Sequence, residues 1–278
     1  MDSNPLKQYF RQPAIYIKLP SGGQFYPKGT LNMPANQELP VLPMTTMDEI
    51  RYRTPDALFN GTATVEVIQS CVPNILDAWA VPSVDIDTIL IAIRIATFGH
   101  ELTIGTQCPA CSTESDWGVD LRLVMESIRA PDYRQPFSLS DLEIYLHPMT
   151  YKDINTNNMQ QFQDQKALQA LESPDTTDQQ RGQILSDMLT KITAITTRAL
   201  AQNIAMIKTP QAMVTEQAHI TEWLSNCDRT TFSAVKDRIL EAKTQSEIKP
   251  LKITCTECQH KYDQMFTLDM TTFFADAS

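Results

Sequence analysis

The sequence predicts an α+β fold: a mostly helical body with short β-hairpins and two Cys-x-x-Cys zinc knuckles. Three observations carry this expectation. The pairs Cys108-Pro109-Ala110-Cys111 and Cys255-Thr256-Glu257-Cys258 are each flanked by strand-like segments. Long stretches repeat apolar residues at helical spacing. An order of parts (strand, Pro-Met-Thr, helices, Cys-x-x-Cys) occurs twice, which is compatible with an internal duplication.

Taken in order, Ala14-Ile15-Tyr16-Ile17-Lys18-Leu19 alternates as a strand and turns at Pro20-Ser21-Gly22-Gly23, so it can pair antiparallel with residues 38–42. Glu38 to Leu42 then runs into Pro43-Met44-Thr45, and Thr45-x-x-Asp48 is a variant of the capping box that satisfies the free N–H groups of a helix start. Ser83 to Gly99 has a Ser cap and a Gly stop. Its Ile86, Ile89, Leu90, Ile93 and Phe98 make it the expected central helix of the first half. Arg94 on that helix reads as a core-edge arginine paired with an internal acid, with recognition of a partner's carboxylate as the functional alternative.

Leu102-Thr103-Ile104 leads into the first cysteine pair and Asp116 to Val119 follows it. The second half opens on Leu142-Glu143-Ile144-Tyr145-Leu146, then Pro148-Met149-Thr150 and the second Thr-x-x-Asp box at Asp153. Tyr151 to Leu171 and Gln180 to Ile207 read as long helices separated by Ser173-Pro174-Asp175. The second, if continuous, is about 28 residues and about 42 Å long. Its stripe of Ile184, Met188, Ile192 and Ile195, with Phe162 on the first helix, offers anchors for a partner as readily as for internal packing. Thr209-Pro210 ends it, and helices over Thr215 to Asn226 and Thr231 to Lys243 precede the second cysteine pair. That pair lies between Leu251-Lys252-Ile253-Thr254 and Tyr262 to Phe266. The expected organisation is therefore two halves, 1–130 and 131–278, each carrying one cysteine pair and folded together as one unit.

The four thiols Cys108, Cys111, Cys255 and Cys258 match a closed tetrahedral zinc site, in which four thiolates surround one Zn²⁺ and leave no position for a substrate. The separation of the pairs, Ser112 to Thr254, far exceeds that of a compact ribbon. Three other arrangements stay open: two reduced metal-free pairs, a metal shared with another subunit, and a redox pair, which would need a Cys-x-x-Cys at the start of a helix in a βαβ unit. His100 and His260 lie near the pairs and are read as ordinary polar residues. Cys71 and Cys227 are isolated among apolar neighbours and read as buried free thiols. Residues 1–5 have neither the basic start nor the apolar run of a secretory signal, so a reducing compartment is expected, which favours metal over disulfides.

The balance of 23 Lys and Arg against 33 Asp and Glu, net −10, disfavours nucleic acid and anionic membranes as partners, because phosphate recognition draws on a surplus of cations. The longest apolar run, within Ile86 to Phe98, is interrupted by Asp87 and Arg94 and is too short to span a bilayer. Ser21-Gly22-Gly23 lacks the Lys and Ser/Thr of a phosphate loop, and the 4 histidines give no nucleophile–base spacing; no enzyme activity is expected.

Several segments together resemble one family. They are Leu19-Pro20-Ser21-Gly22-Gly23-Gln24-Phe25-Tyr26-Pro27, Pro43-Met44-Thr45, Thr54 to Gly61, and Asp87 through Gly99 followed by Cys108-Pro109-Ala110-Cys111. The resemblance is to the baseplate hub assembly family of T-even-like contractile-tailed bacteriophages, densest over residues 15–125. It implies a hub protein or hub assembly factor that works by contacts with other baseplate hub proteins, located in the host cytoplasm during assembly or in the tail baseplate of the virion. It does not by itself imply zinc, which rests on the four thiols. The reading from another class is a zinc-ribbon regulator that binds nucleic acid, against which the acidic balance counts.

Overall fold

A computed structural model describes residues 4–53, 60–170, 191–266, 268, 273 and 274. The chain forms two compact units, one from residues 1–130 and 246–278, the other from 131–245.

The first unit opens with a 3-10 turn over Pro5–Tyr9. Strand β1 (Ile15–Ile17) then pairs antiparallel with β2 (Leu39–Val41), Ile15 opposite Val41 and Ile17 opposite Leu39, as the alternation predicts. Between them Gly23 sits at φ +79°, where a side chain would be strained by the backbone and would have to displace the Met33 methyl, so the turn favours glycine. Helix α1 (Thr46–Tyr52) starts on the capping box: Asp48 N–H donates to Thr45 Oγ1 at 3.2 Å while Thr45 N–H donates back to Asp48 Oδ2 at 2.8 Å. Helix α2 (Thr62–Cys71) follows Gly61, whose φ of 77° lets the chain turn into it.

Helix α3 (Ser83–Phe98) buries Ile89, Leu90, Ile91, Ala92 and Ile93 and contacts β1, β2 and α2, so it is central to this unit. Ser83 is its first residue and Pro82 its cap, one position earlier than the expected Ser cap. Proline suits the boundary, since its fixed φ of −63° pre-sets the entry and it has no N–H to satisfy. Gly99, at φ 89°, ends the helix as expected. Asp85 in its first turn is buried and accepts the Ser21 N–H at 2.8 Å and the Ser21 hydroxyl at 2.6 Å, tying the β1–β2 loop to the helix. Strands β3 (Glu101–Gln107) and β4 (Glu114–Asp120) form a hairpin, and α4 (Leu121–Ser127) packs back on α3.

The second unit is built on a four-stranded antiparallel sheet in the order β5 (Phe137–Leu139), β6 (Leu142–Leu146), β7 (Ile204–Lys208), β8 (Met213–Val214). Helix α5 (Tyr151–Ala170) starts on the second Thr-x-x-Asp box. Asp153 N–H donates to Thr150 Oγ1 at 3.2 Å and Thr150 N–H to Asp153 Oδ2 at 3.0 Å, the same closure as at Thr45. Residues 191–201 are helical (α6), and α7 (Gln217–Asn226) and α8 (Arg229–Ser246) follow the sheet. Ile144, Leu200, Ile204, Ile207, Ile220, Leu224 and Val235 close one apolar core. The helix expected through Ile207 stops at residue 201, and Ile204–Lys208 is instead a central strand. Short apolar runs satisfy either period; here the turn at Gln202-Asn203 and the pairing of Ile207 with Ile144 decide for the strand.

The chain then returns to the first unit with the hairpin β9 (Leu251–Thr254) and β10 (Lys261–Gln264). The second cysteine pair therefore belongs to the unit formed by residues 1–130 rather than to the sheet of residues 131–245.

Of the anchors expected on the long helices, Phe162 is exposed and Ile195 is half-buried. Ile184 and Met188 lie outside the described residues, as does Thr54 to Phe59. Arg94 is buried, 3% exposed, with its guanidinium over the rings of Phe98 (5.2 Å) and Phe273 (5.4 Å). It is an interior group and not a surface receptor for a carboxylate.

Candidate metal centre

Each cysteine pair occupies the tip of an antiparallel hairpin. In the first, Glu101 to Gln107 pairs residue for residue with Asp120 to Glu114, and the inward face carries Ile104 and Trp117 while the outward face is polar. In the second, Leu251 to Thr254 pairs with Gln264 to Lys261, with Ile253 inward. The two tips close identically. Cys108 N–H donates to Thr113 O (3.0 Å) and Ser112 N–H to Cys108 O (2.8 Å); Cys255 N–H donates to His260 O (2.9 Å) and Gln259 N–H to Cys255 O (3.1 Å). Ser112 and Gln259 both sit at φ 59°, a left-handed position that a residue with a Cβ occupies at a cost. The same strained turn at both tips aims each pair's two sulfurs in one direction.

The two tips meet. Cys108 Sγ lies 3.6 Å from Cys258 Sγ, Cys111 Sγ lies 3.6 Å from Cys255 Sγ, and all four sulfurs lie within 4.8 Å of one another. A disulfide needs about 2.05 Å, and all four cysteines are free. Four sulfurs at about 2.3 Å from one ion stand about 3.8 Å apart along the edges of a tetrahedron, so the observed spacing fits a single bound metal. Cys108 and Cys255 are buried, Cys111 and Cys258 exposed. His100 and His260 are not in the cluster; the His260 carbonyl holds the turn and its ring stacks at 6.4 Å on Tyr262.

The two exposed thiols of the cluster are shifted in opposite directions. Hydrogen bonds from the Thr113 side chain and backbone lower the Cys111 thiol to about 6. For Cys258 the largest influence, the His260 backbone, also lowers it, but the three neighbouring sulfurs and desolvation outweigh this and push it up to about 12. The Cys111 thiolate thus forms readily while Cys258 resists a second negative charge beside it, an opposition that a shared cation would relieve.

Two contacts that the sequence reading missed support the site. Tyr262 hydroxyl donates to Thr106 Oγ1 at 3.2 Å, joining the hairpins behind the sulfurs. Phe273 and Phe274, 5.2 Å apart and both buried, bring the chain beyond the second hairpin into the unit, Phe274 edge-on to Tyr52 at 4.7 Å. The inward positions Thr106, two residues before Cys108, and Tyr262, four residues after Cys258, were the available signal. Of the isolated cysteines, Cys71 is a buried free thiol as expected, pushed up to about 12 by burial, whereas Cys227 is only half-buried, with desolvation raising it.

The family model described as T4 bacteriophage base plate protein matches residues 15–275, a span that includes both hairpins. The chain belongs to the T4 bacteriophage base plate protein family. No curated protein and no solved structure matches it. Membership assigns this baseplate protein a structural or assembly role, with other baseplate proteins as its partners, and accords with the segments singled out above. Among the described residues, no helix is long and apolar enough to cross a membrane.

Proposed function

We propose that this baseplate protein is a hub subunit or hub assembly factor without enzymatic activity, acting through protein–protein contacts. In this reading Cys108, Cys111, Cys255 and Cys258 hold one structural Zn²⁺. The convergence of the four sulfurs, contributed by hairpins 144 residues apart at Cys111 and Cys255, is the observation that carries it. Zinc suits an all-sulfur tetrahedral set, which leaves no open position for catalysis. When bound, the ion supplies the positive charge that lets four thiolates coexist. The chain supplies the rest: the left-handed turns at Ser112 and Gln259 orient the pairs, and Tyr262 and Thr106 fix one hairpin on the other. The site closes the first unit across the 131–245 excursion. The paired capping boxes and paired hairpin tips support two cysteine knuckles and an internal duplication as their origin.

The experiment is complementation of a phage lacking this gene, with mass spectrometry of purified tails. The reading expects tails to form only when the gene is supplied and variants of the cysteines to lose them. Recovery of the protein in finished particles marks a resident hub subunit, and its absence there an assembly factor. Normal tails without the gene, or salt-sensitive DNA binding by the purified protein in place of a tail phenotype, overturns it.

A further inference from the structure

We propose that the cluster is also an oxidation site, at which hydrogen peroxide joins Cys111 to Cys255 and Cys258 to Cys108 as disulfides across the two hairpins and releases the metal; this rests on the zinc reading above. Exposure sets the role of each sulfur. Cys111 and Cys258 are exposed and meet a dissolved oxidant first, while Cys108 and Cys255 are buried, 1% and 2% exposed. Each exposed sulfur has a buried one on the opposite hairpin 3.6 Å away, Cys255 for Cys111 and Cys108 for Cys258. An accessible thiol poised beside a second, resolving thiol is oxidised to a reversible disulfide before the irreversible acids form. Cys71 and Cys227 lie outside the cluster.

The step balances within each pair. The Cys111 sulfur attacks one oxygen of the peroxide, the O–O bond breaks, and the other oxygen leaves as hydroxide. Cys255 then attacks the sulfur of the resulting sulfenic acid; the S–S bond forms, the S–O bond breaks, and the oxygen leaves as water. Two thiols lose two electrons and two protons, and one peroxide becomes two waters. Cys258 and Cys108 repeat it with a second peroxide. With its thiolates consumed the site has no charge left to hold a cation.

The geometry favours this pairing over one within each Cys-x-x-Cys. Closing 3.6 Å to the about 2.05 Å of a disulfide moves the hairpin tips about 1.5 Å along a contact that Tyr262 and Thr106 already hold. Closure within a tip instead deforms a turn fixed by two backbone hydrogen bonds and a left-handed residue, Ser112 or Gln259. Only the links across the hairpins preserve the tie. They join residues 144 and 150 positions apart, so the first unit stays closed across the 131–245 excursion after the metal has gone. The unit thus has a metal tie in a reducing cell and a covalent one in an oxidising medium.

The test uses the full chain carrying Cys71→Ser and Cys227→Ser, purified reduced, analysed for zinc and then treated with hydrogen peroxide. The expected results are loss of the zinc, non-reducing peptide maps that link Cys111 with Cys255 and Cys108 with Cys258 inside one chain, and reversal by dithiothreitol with added zinc. Hydrogen exchange should find the hairpins as protected after oxidation as in the zinc form, and deprotected when a chelator removes zinc under reducing conditions. Any other pairing, within a tip or between chains, sulfinic or sulfonic acids in place of disulfides, hairpins deprotected after oxidation, or zinc that stays bound through the treatment overturns the inference and leaves the zinc reading intact. If the double variant misfolds, the same maps of the wild type decide. Folded, reduced protein that carries no zinc before treatment removes the zinc reading and this inference with it.

Discussion

The two units both close an apolar core beside short strands, but they differ in how the chain is joined around it. The unit of residues 131–245 is one continuous stretch. Its core residues from Ile144 to Ala242 are brought together by a four-stranded sheet and the helices that follow it. The other unit is interrupted. Its hairpins are two-stranded, and isolated two-stranded ribbons are marginal in water. It is closed by ties between distant residues: Arg11 on Asp48 and Ser70, Tyr262 on Thr106, Phe274 on Tyr52, and the four sulfurs. Both units bury apolar area, the first around α3, and the interrupted one adds point contacts that help offset the entropy of closing a long loop.

That contrast breaks first at the four-cysteine cluster proposed to hold zinc. Cys255→Ser leaves three sulfurs and is expected to destabilise the first unit by more than about 4 kcal/mol, the range reached when a structural metal is lost. Hydrogen exchange should show the hairpins and α3 deprotected while Ile204 and Ile220 stay protected; equal loss in both units would dissolve the distinction. The converse is Ile204→Ala, in a fully buried strand position, which should cost about 3 kcal/mol in the second unit and leave metal content unchanged.

How much of this was legible in the sequence follows the same division. Local signals read correctly: the alternation of Ile15 to Ile17, the Thr-x-x-Asp caps, Gly99 as a stop, and the strands flanking each cysteine pair. Of the non-local ones, the convergence of Cys108, Cys111, Cys255 and Cys258 was legible from the thiols themselves, and two others were not. Ile204 to Lys208 has the apolar density of a helix end and becomes a strand only because Ile144 offers a partner 63 residues earlier, at Ile207. The return of the chain to the first unit after Gln245 leaves no local mark, since it is set by where the sulfurs and the Phe273-Phe274 pair find their partners.

Smaller effects sharpen the comparison. Burial raises Asp85 to about 6 against the opposing Ser21 hydrogen bonds. Its folded value lies above its unfolded one, so the folded state binds the proton more tightly. This contribution is complete below about pH 4 and is lost as pH rises through about 6. Between pH 7.5 and 5 the wild type should therefore gain about 1 kcal/mol relative to Asp85→Asn. A pH-independent difference between the two would contradict the assignment. Thr45→Ala and Thr150→Ala should each cost about 1 kcal/mol, the first in the interrupted unit and the second in the contiguous one, because they remove equivalent caps. Unequal costs measured by denaturant unfolding would show that the two boxes are not equivalent.

The most direct test of the central claim is elemental analysis of the protein purified under reducing conditions without chelator. The account predicts one zinc per chain, retained by Cys71→Ser and Cys227→Ser and lost in each variant of Cys108, Cys111, Cys255 or Cys258. Protein that is folded, reduced and free of zinc would contradict it.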